Sequence, residues 1–247
     1  MKETILSGRS VTKTYGDNTV LHKIDVDLYA GDFTVVMGAS GSGKSTLLYM
    51  LSGMDRVSAG QIIYRGKDIT NSSEKELTGL RSKDFGFVFQ RTHLISNLTL
   101  CENIQMAGLI GALSDEETKT RADALITRMN LEGAKDRLPS QVSGGEAQRA
   151  AVARTVINKP SILFADEPTG ALNKANSEEV LNLLSSLHSD GQSVLLVTHD
   201  KDATLRGNRV LYLEDGEIIG ELNLPVYDGK DRSREEKLSA WLEGLGW

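Results

Sequence analysis

Only one cysteine, Cys101, occurs in 247 residues. A single thiol makes no internal disulfide and no cysteine-rich zinc site. A chain of this length buries enough surface to fold without either staple. Such cysteine usage is the expectation for a reducing, cytosolic compartment. Long apolar runs are missing too: none approaches the roughly 18 residues of a membrane-spanning helix. The opening MKETILSGRSVTKTYG has no apolar core of the kind a secretory leader needs, so none is expected. There is no basic excess, with 28 Lys and Arg against 34 Asp and Glu and a net charge of −6. A domain-wide nucleic-acid footprint is therefore excluded, and no nucleic-acid partner is expected. Prolines number four and charged residues make up 25 %, a balance that suits a folded globule.

What is present alternates between two periods. Residues 24–28, Ile-Asp-Val-Asp-Leu, put apolar groups on one face and acids on the other, as a half-exposed strand does. Residues 33–37, Phe-Thr-Val-Val-Met, suit a strand covered on both faces. A helix is expected from Lys44 to about Leu51, and strands at 61–64, 85–89, 161–165, 193–197, 209–213 and 217–219. Between 99 and 157 the signals are mostly helical. Ala122, Leu125, Ile126 and Met129 form one apolar stripe, and Val180, Leu183, Leu184 and Leu187 another. Both read as core faces. The tail carries Leu238, Trp241, Leu242 and Leu245 at helical spacing. That face suits docking on the chain's own surface, a partner or a membrane surface.

Three stretches carry chemistry. Residues 38–45, Gly-Ala-Ser-Gly-Ser-Gly-Lys-Ser, match G-x-x-x-x-G-K-[ST] between a buried strand and a helix. Gly38, Gly41 and Gly43 let the backbone curl, so that N–H groups around Ser40 and Ser42 point at phosphate oxygens. Lys44 reaches the β/γ-phosphates, Ser45 offers a hydroxyl to Mg²⁺, and Thr46 continues the helix start at which phosphates bind. Residues 162–167, Ile-Leu-Phe-Ala-Asp-Glu, end an apolar strand in two acids. Asp166 suits Mg²⁺, which binds few carboxylates and keeps its waters. Glu167 suits a base for the attacking water. His199 follows a buried strand, where ligands of a parallel sheet bind; alone, it would equally be a surface histidine. His22, His93 and His188 have no such context. Gln90, after the strand at 85–89, can touch Mg²⁺ or water through a neutral amide.

With Val142-Ser143-Gly144-Gly145-Glu146-Ala147-Gln148-Arg149 added, 21 residues before the Asp166 strand, the chain resembles the nucleotide-binding subunit of an ATP-binding cassette (ABC) transporter. The likeness runs from about residue 4 to 221. It implies an α/β fold: a P-loop NTPase core of the ABC type, with an antiparallel β subdomain and an inserted α-helical subdomain. The cassette would span 1–222 with its helical insert at about 91–157, and 223–247 would be a C-terminal extension with a short amphipathic helix. The resemblance makes Tyr15 the residue that stacks on adenine, Gln90 the Q-loop residue, Gly170-Ala171-Leu172-Asn173 the D-loop and His199 the switch histidine. Three positions depart from the usual pattern: Val142 for Leu, Glu146 for Gln, and Asn173 for Asp.

The same resemblance implies ATP as ligand and Mg²⁺ held by Ser45, Gln90 and Asp166. A second copy of the chain would close each ATP site through Ser143, Gly144 and Gly145. An integral-membrane permease would be the partner, received in a groove around 90–105 to which Leu94, Ile95, Leu98 and Leu100 are assigned, and the chain would sit on the cytoplasmic face of the membrane. Pro-Thr-Gly-Ala-Leu at 168–172 and Asn-Leu-Thr-Leu-Cys-Glu-Asn at 97–103 are similar to the branch of macrolide export, lipoprotein release and antimicrobial-peptide resistance. An exporter or extractor ATPase is therefore expected, and a peptide-sensing or FtsE-like ATPase that gates a partner without cargo would carry the same motifs. A ribosome- or DNA-acting ABC protein is disfavoured by the single cassette and the acidic balance. A P-loop kinase or GTPase would have no Ser143-Gly144-Gly145 stretch.

Overall fold

The computed structural model describes residues 2–229 and 232–247. Met1, assigned above to the cassette, and Lys230 and Asp231, assigned to the extension, lie outside the described residues. The elements follow in chain order: β1 (Thr4–Tyr15), β2 (Asn18–Tyr29), β3 (Phe33–Met37), α1 (Lys44–Leu51), β4 (Ala59–Tyr64), β5 (Lys67–Asp68), α2 (Glu74–Lys83), β6 (Phe85–Phe89), α3 (Leu100–Ile110), α4 (Asp115–Arg128), a 3-10 turn (Pro139–Gln141), α5 (Gly144–Val156), β7 (Ile162–Asp166), α6 (Lys174–Ser189), β8 (Ser193–Thr198), α7 (Lys201–Thr204), β9 (Arg209–Glu214), β10 (Glu217–Asn223) and α8 (Arg232–Gly244). Four elements have no counterpart in the sequence reading: β1, the two-residue β5, α2 and the short α7. β1 mixes Ser, Gly, Arg and Lys into its apolar positions and shifts register against β2. α2 buries only Leu77, so no stripe announces it.

The chain divides into two compact units, Met1–Leu77 with His188–Trp247, and Thr78–Leu187. In the first, an antiparallel sheet runs β2-β1-β4-β5. Ile24, Val26 and Leu28 face its core while Asp25 is exposed, as the alternation requires. Beside it, β3 lies parallel to β8 on one side and to β9 on the other, and β10 adds antiparallel to β9. Every residue of β3 and β8 is buried, because both faces are covered. The tail docks on this unit. Leu238 and Leu242 of α8 enter one cluster with Met37, Val210, Tyr212 and Leu224, and the Trp241 ring meets Tyr212 edge-on at 6.4 Å.

In the second unit β6 pairs with β7 in parallel, and Phe85 and Phe87 pack on Phe164. The helices α3, α4 and α5 pack on one another around Leu100, Ile104, Ala122, Ile126 and Met129. Each starts with a capping box: Thr99 with Glu102, Ser114 with Glu117, Ser143 with Glu146. The reciprocal bonds satisfy N–H groups that a helix start leaves open, so the sequence fixes all three starts locally. α6 buries Val180, Leu183, Leu184 and Leu187 along the expected stripe.

Leu238 is fully buried in the α8 cluster. Leu238→Ala is expected to lower stability by about 2–5 kcal/mol, the range for an unfilled core cavity, as read from urea unfolding.

Candidate active site

The first unit holds the phosphate loop. β3 ends in the core at Met37, and a Cβ on Gly38 would run into the Leu213 carbonyl oxygen, so only glycine passes there. Gly43 turns into α1 with φ +103, a left-handed conformation open to glycine, and no side chain caps the helix. A helix start of this kind attracts an anion. Lys44 is 6 % exposed, and its ammonium donates to the carbonyls of Gly38 (2.9 Å) and Ala39 (2.7 Å). The buried Ser42 hydroxyl has no hydrogen-bond partner among the described residues. Ser40 and Gly41 are exposed at the loop tip, and Ser45 and Thr46 are half-buried on the first turn of α1. A confined ammonium, an orphaned hydroxyl and a helix start fit a polyphosphate.

Two other assigned residues lie in the same unit. Tyr15 closes β1 with its ring 49 % exposed, free to stack. Its hydroxyl donates to Asp55 at 2.8 Å, and Lys13 Nζ lies 4.6 Å from the ring centre and 2.8 Å from the Asp55 carboxylate. Burial, and then the Asp55 hydrogen bond, push the Tyr15 hydroxyl above its ordinary pKa. Burial works to raise Asp55, but hydrogen bonds from Lys13, Tyr15 and the Arg56 N–H hold it below the usual carboxylate value. Sequence reasoning missed Lys13 and Asp55, which orient this ring from 40 residues apart in the case of Asp55. His199 is exposed directly after β8.

The second unit holds the acids, Gln90 and the Ser-Gly-Gly start. Asp166 ends β7 and is 9 % exposed. Glu167 follows with φ +46, a left-handed backbone uncommon for a residue with a Cβ. Such strain is held by surroundings and clusters at functional positions. Gln90 lies against the loop after these acids, since a Cβ on Gly170 would come within 2.9 Å of Gln90 Nε2. The helix α5 stakes the Gln90 segment on both sides: Gln148 Nε2 donates to the Phe89 carbonyl (2.9 Å), and Arg154 donates to the carbonyls of Thr92 (2.8 Å) and His93 (2.6 Å). Gln148 stood in the motif without a role and Arg154 was not singled out. Their partners are carbonyls about sixty residues away, which no local pattern shows. The Asp166 carboxylate and the Gln90 amide oxygen are hard-oxygen donors of the kind that suits Mg²⁺.

Ser143 caps α5, which begins with the exposed Gly144 and the buried Gly145. The Ser143 N–H and hydroxyl both donate to Glu146 Oε2 at 2.8 Å. Glu146 thereby completes a capping box at this helix start. Asn173 likewise caps α6, its side-chain oxygen accepting the Asn176 N–H at 3.0 Å. Asn and Asp cap about equally well, so this departure leaves the local fold intact.

A phosphate loop closing a buried strand, an acidic pair closing another and a capped Ser-Gly-Gly helix start define a cassette-type P-loop ATPase. The ABC transporter family model matches residues 21–170, and the chain belongs to that family. It is 40 % identical over 225 residues to the macrolide export ATP-binding/permease protein MacB of Pasteurella multocida, covering 90 % of this chain and 35 % of that protein. It is 39 % identical over 226 residues to the pyoverdine export ATP-binding/permease protein PvdT of Pseudomonas fluorescens, covering 90 % and 34 %. The chain thus spans about a third of the length of these curated relatives. Among solved structures it is similar to the ATP-binding cassette MJ0796 in a dimeric post-hydrolysis state bound to ADP and Pi, at 36 % identity and TM-score 0.82, covering 90 % of this chain and all of that one. CbiO1 of the Clostridium perfringens cbiONQ transporter is similar at 26 % identity and TM-score 0.84, covering 99 % and 94 %. The family and these neighbours make the chain an ATP-binding cassette ATPase.

The Ser143 N–H, then its hydroxyl, hold the Glu146 carboxyl below the ordinary 4.5. With the folded value lowered, the cap is complete above 4.5 and is lost as pH falls through that lower value. The Ser143 amide resonance is expected to titrate with a midpoint below 4.5 in wild type. In Glu146→Gln that transition is absent.

Proposed function

We propose that the chain is the ATP-hydrolysing subunit of a bacterial ABC transporter that drives a membrane permease. The observation that carries this reading is the Lys44 ammonium, confined between a left-handed glycine turn and the Gly38 and Ala39 carbonyls at the start of α1. Lys44 exchanges its two carbonyl partners for β- and γ-phosphate oxygens. The N–H groups from Ser40 to Thr46 take the remaining charge, and Tyr15 stacks on the base. Ser45, Gln90 and Asp166 are the residues that would hold Mg²⁺, and the ion would neutralise developing phosphate charge. Glu167 accepts a proton from water as the water oxygen bonds to the γ-phosphorus and the bond to the bridging oxygen breaks. His199 hydrogen-bonds the γ-phosphate and holds the attacked group in line.

Ser143, Gly144 and Gly145 serve the ATP bound by a second copy, head to tail, so that two ATP close the dimer. The dimeric state of the related MJ0796 cassette supports this arrangement. ATP closes the pair only by as much as it prefers the closed state, and hydrolysis removes that preference. The Ser143 hydroxyl, engaged by Glu146, turns from that carboxylate to the arriving phosphate.

Of the residues assigned to the permease contact above, Leu100 is fully buried in the helical core and Ile95 is exposed. The second unit also presents a groove lined by other residues. That groove, of about 220 Å³, is floored by Phe85, Phe87 and Phe89, walled by Ala107 and Ile110 of α3, and rimmed by Arg81, Lys83 and Arg154. Met106, Leu109 and Ile110 stand exposed beside it. An apolar floor with a basic rim suits a permease's cytoplasmic helix that carries apolar residues and an acid. The relatives named for export, with ATPase and permease in one protein, support this partner and an exported or extracted amphipathic substrate. The chain then works at the cytoplasmic face of the membrane.

Glu167→Gln is expected to bind ATP and stay dimeric while turnover falls by about 10²–10⁴-fold, the usual share of a general base. Lys44→Ala is expected to lose binding in a titration with labelled ATP. Wild-type hydrolysis in Glu167→Gln would remove the role given to that residue. Ile110→Asp, at a position 66 % exposed, is expected to keep the melting temperature but abolish co-purification with the permease. Leu100→Asp unfolds the helical core instead.

A further inference from the structure

The extension beyond β10 does more in the fold than fill a hydrophobic patch. Arg234 of α8 is 2 % exposed, although an arginine is rarely buried without a specific partner set. Its guanidinium donates to three backbone carbonyls: Leu205 (2.6 Å), Gly207 and Pro225. The Tyr227 ring lies under it with the guanidinium carbon 5.6 Å from the ring centre, and Arg206 stacks on the same ring at 4.4 Å. Lys201 adds an ion contact with Glu235 at 3.6 Å. Leu205 is the C-terminal cap of α7, and Gly207 follows in the turn to β9. A guanidinium there satisfies carbonyls that a helix end leaves open.

The staked turn leads back to His199 in short, continuous steps. The Leu205 N–H donates to the Lys201 carbonyl. The Thr204 N–H (3.0 Å) and hydroxyl (2.7 Å) both donate to the Asp200 carbonyl. The Asp200 carboxylate accepts the Ala203 N–H at 3.0 Å, and the Asp200 N–H donates to the Thr198 hydroxyl at 3.0 Å. Both chain neighbours of His199 are thereby fixed, Thr198 by its strand and Asp200 by α7. The far end of α7 is fixed by Arg234. The helix α8 that carries Arg234 also shares a core cluster with Met37, the residue before Gly38.

We infer that Arg234 is a positioning residue for ATP hydrolysis: it clamps the turn after α7 so that His199 is held at a set height beside β8. This inference rests on the role given to His199 above. The chemical content is the three-carbonyl fork. A lysine ammonium can reach one or two of those oxygens, and a methionine reaches none while filling similar volume. Loosening the turn lets His199 wander, which slows the chemical step and leaves the separate phosphate loop to bind ATP as before.

The test compares Arg234→Met, Arg234→Lys and His199→Ala in the full chain, with kcat, KM and melting temperature measured for each. Arg234→Met is expected to lower kcat by about tenfold, below the roughly hundredfold that an ångström-scale misplacement can bring, with KM nearly unchanged. Arg234→Lys is expected to recover most of that loss. In a His199→Ala background Arg234→Met is expected to add nothing, because the two act through one group. An unchanged kcat in Arg234→Met beside a crippled His199→Ala overturns this inference alone. So does a loss in Arg234→Met that multiplies with that of His199→Ala. Full turnover in His199→Ala overturns the role of His199 itself, and this inference with it. Should Arg234→Met not fold, amide exchange in Arg234→Lys decides. Faster exchange at 201–208 with β1 and β2 unchanged supports the clamp, and unchanged exchange at 201–208 overturns it.

Discussion

A lysine ammonium buried beside two backbone carbonyls is the interaction on which the rest of this protein depends. Removing a cation from water is expensive unless hydrogen bonds replace the lost hydration. Lys44 has the Gly38 and Ala39 carbonyls to do so. The arrangement demands a strand end that cannot move. β3 provides it, with every residue buried and paired on both sides by parallel neighbours. It also demands a backbone that passes the Leu213 carbonyl without a Cβ, which leaves glycine at 38.

The second unit solves a different problem, that of holding exposed loops in register. Gln90, Glu167 and the Ser143 start of α5 all have to meet solvent, so packing alone cannot fix them. The Gln90 segment is fixed by hydrogen bonds from side chains of α5. Gln148, 1 % exposed, and Arg154 place one helix on both flanks of Gln90. Any rotation of α5 therefore carries the Gln90 segment with it, and α5 is the helix that Ser143 starts. A ligand felt at Ser143 and one felt at Gln90 bias the same rigid element, which is the physical requirement for coupling between them.

Some of this was open to reading. The strands β3, β6, β7, β8 and β9 are short continuous apolar runs, and their positions follow from composition to within a residue or so. The phosphate loop, the acidic pair and the Ser-Gly-Gly start lie at fixed offsets along the chain, so their residues could be named one by one. β1 and α2 could not, since neither carries a clean period: β1 shifts register repeatedly and α2 has one buried residue. One residue assigned to the groove went elsewhere for a related reason. Leu94, Leu98 and Leu100 are apolar, but apolar residues between loop and helix serve the core as readily as a surface, and Leu100 went to the core.

Local rules decide what a short stretch of chain can do by itself. Glycine spacing, capping boxes and runs of β-branched residues act over a few positions, and they were enough to specify the phosphate loop, the helix starts of α3, α4 and α5, and the family. Tertiary structure alone decided which side chains hold those motifs in place. Asp55 orients Tyr15, Gln148 and Arg154 stake the Gln90 segment, and Arg234 takes the carbonyls behind His199. The reason is physical. A backbone carbonyl is identical at every residue, so a side chain that recognises one leaves no mark in the sequence at the position it contacts. Only folding brings the two together.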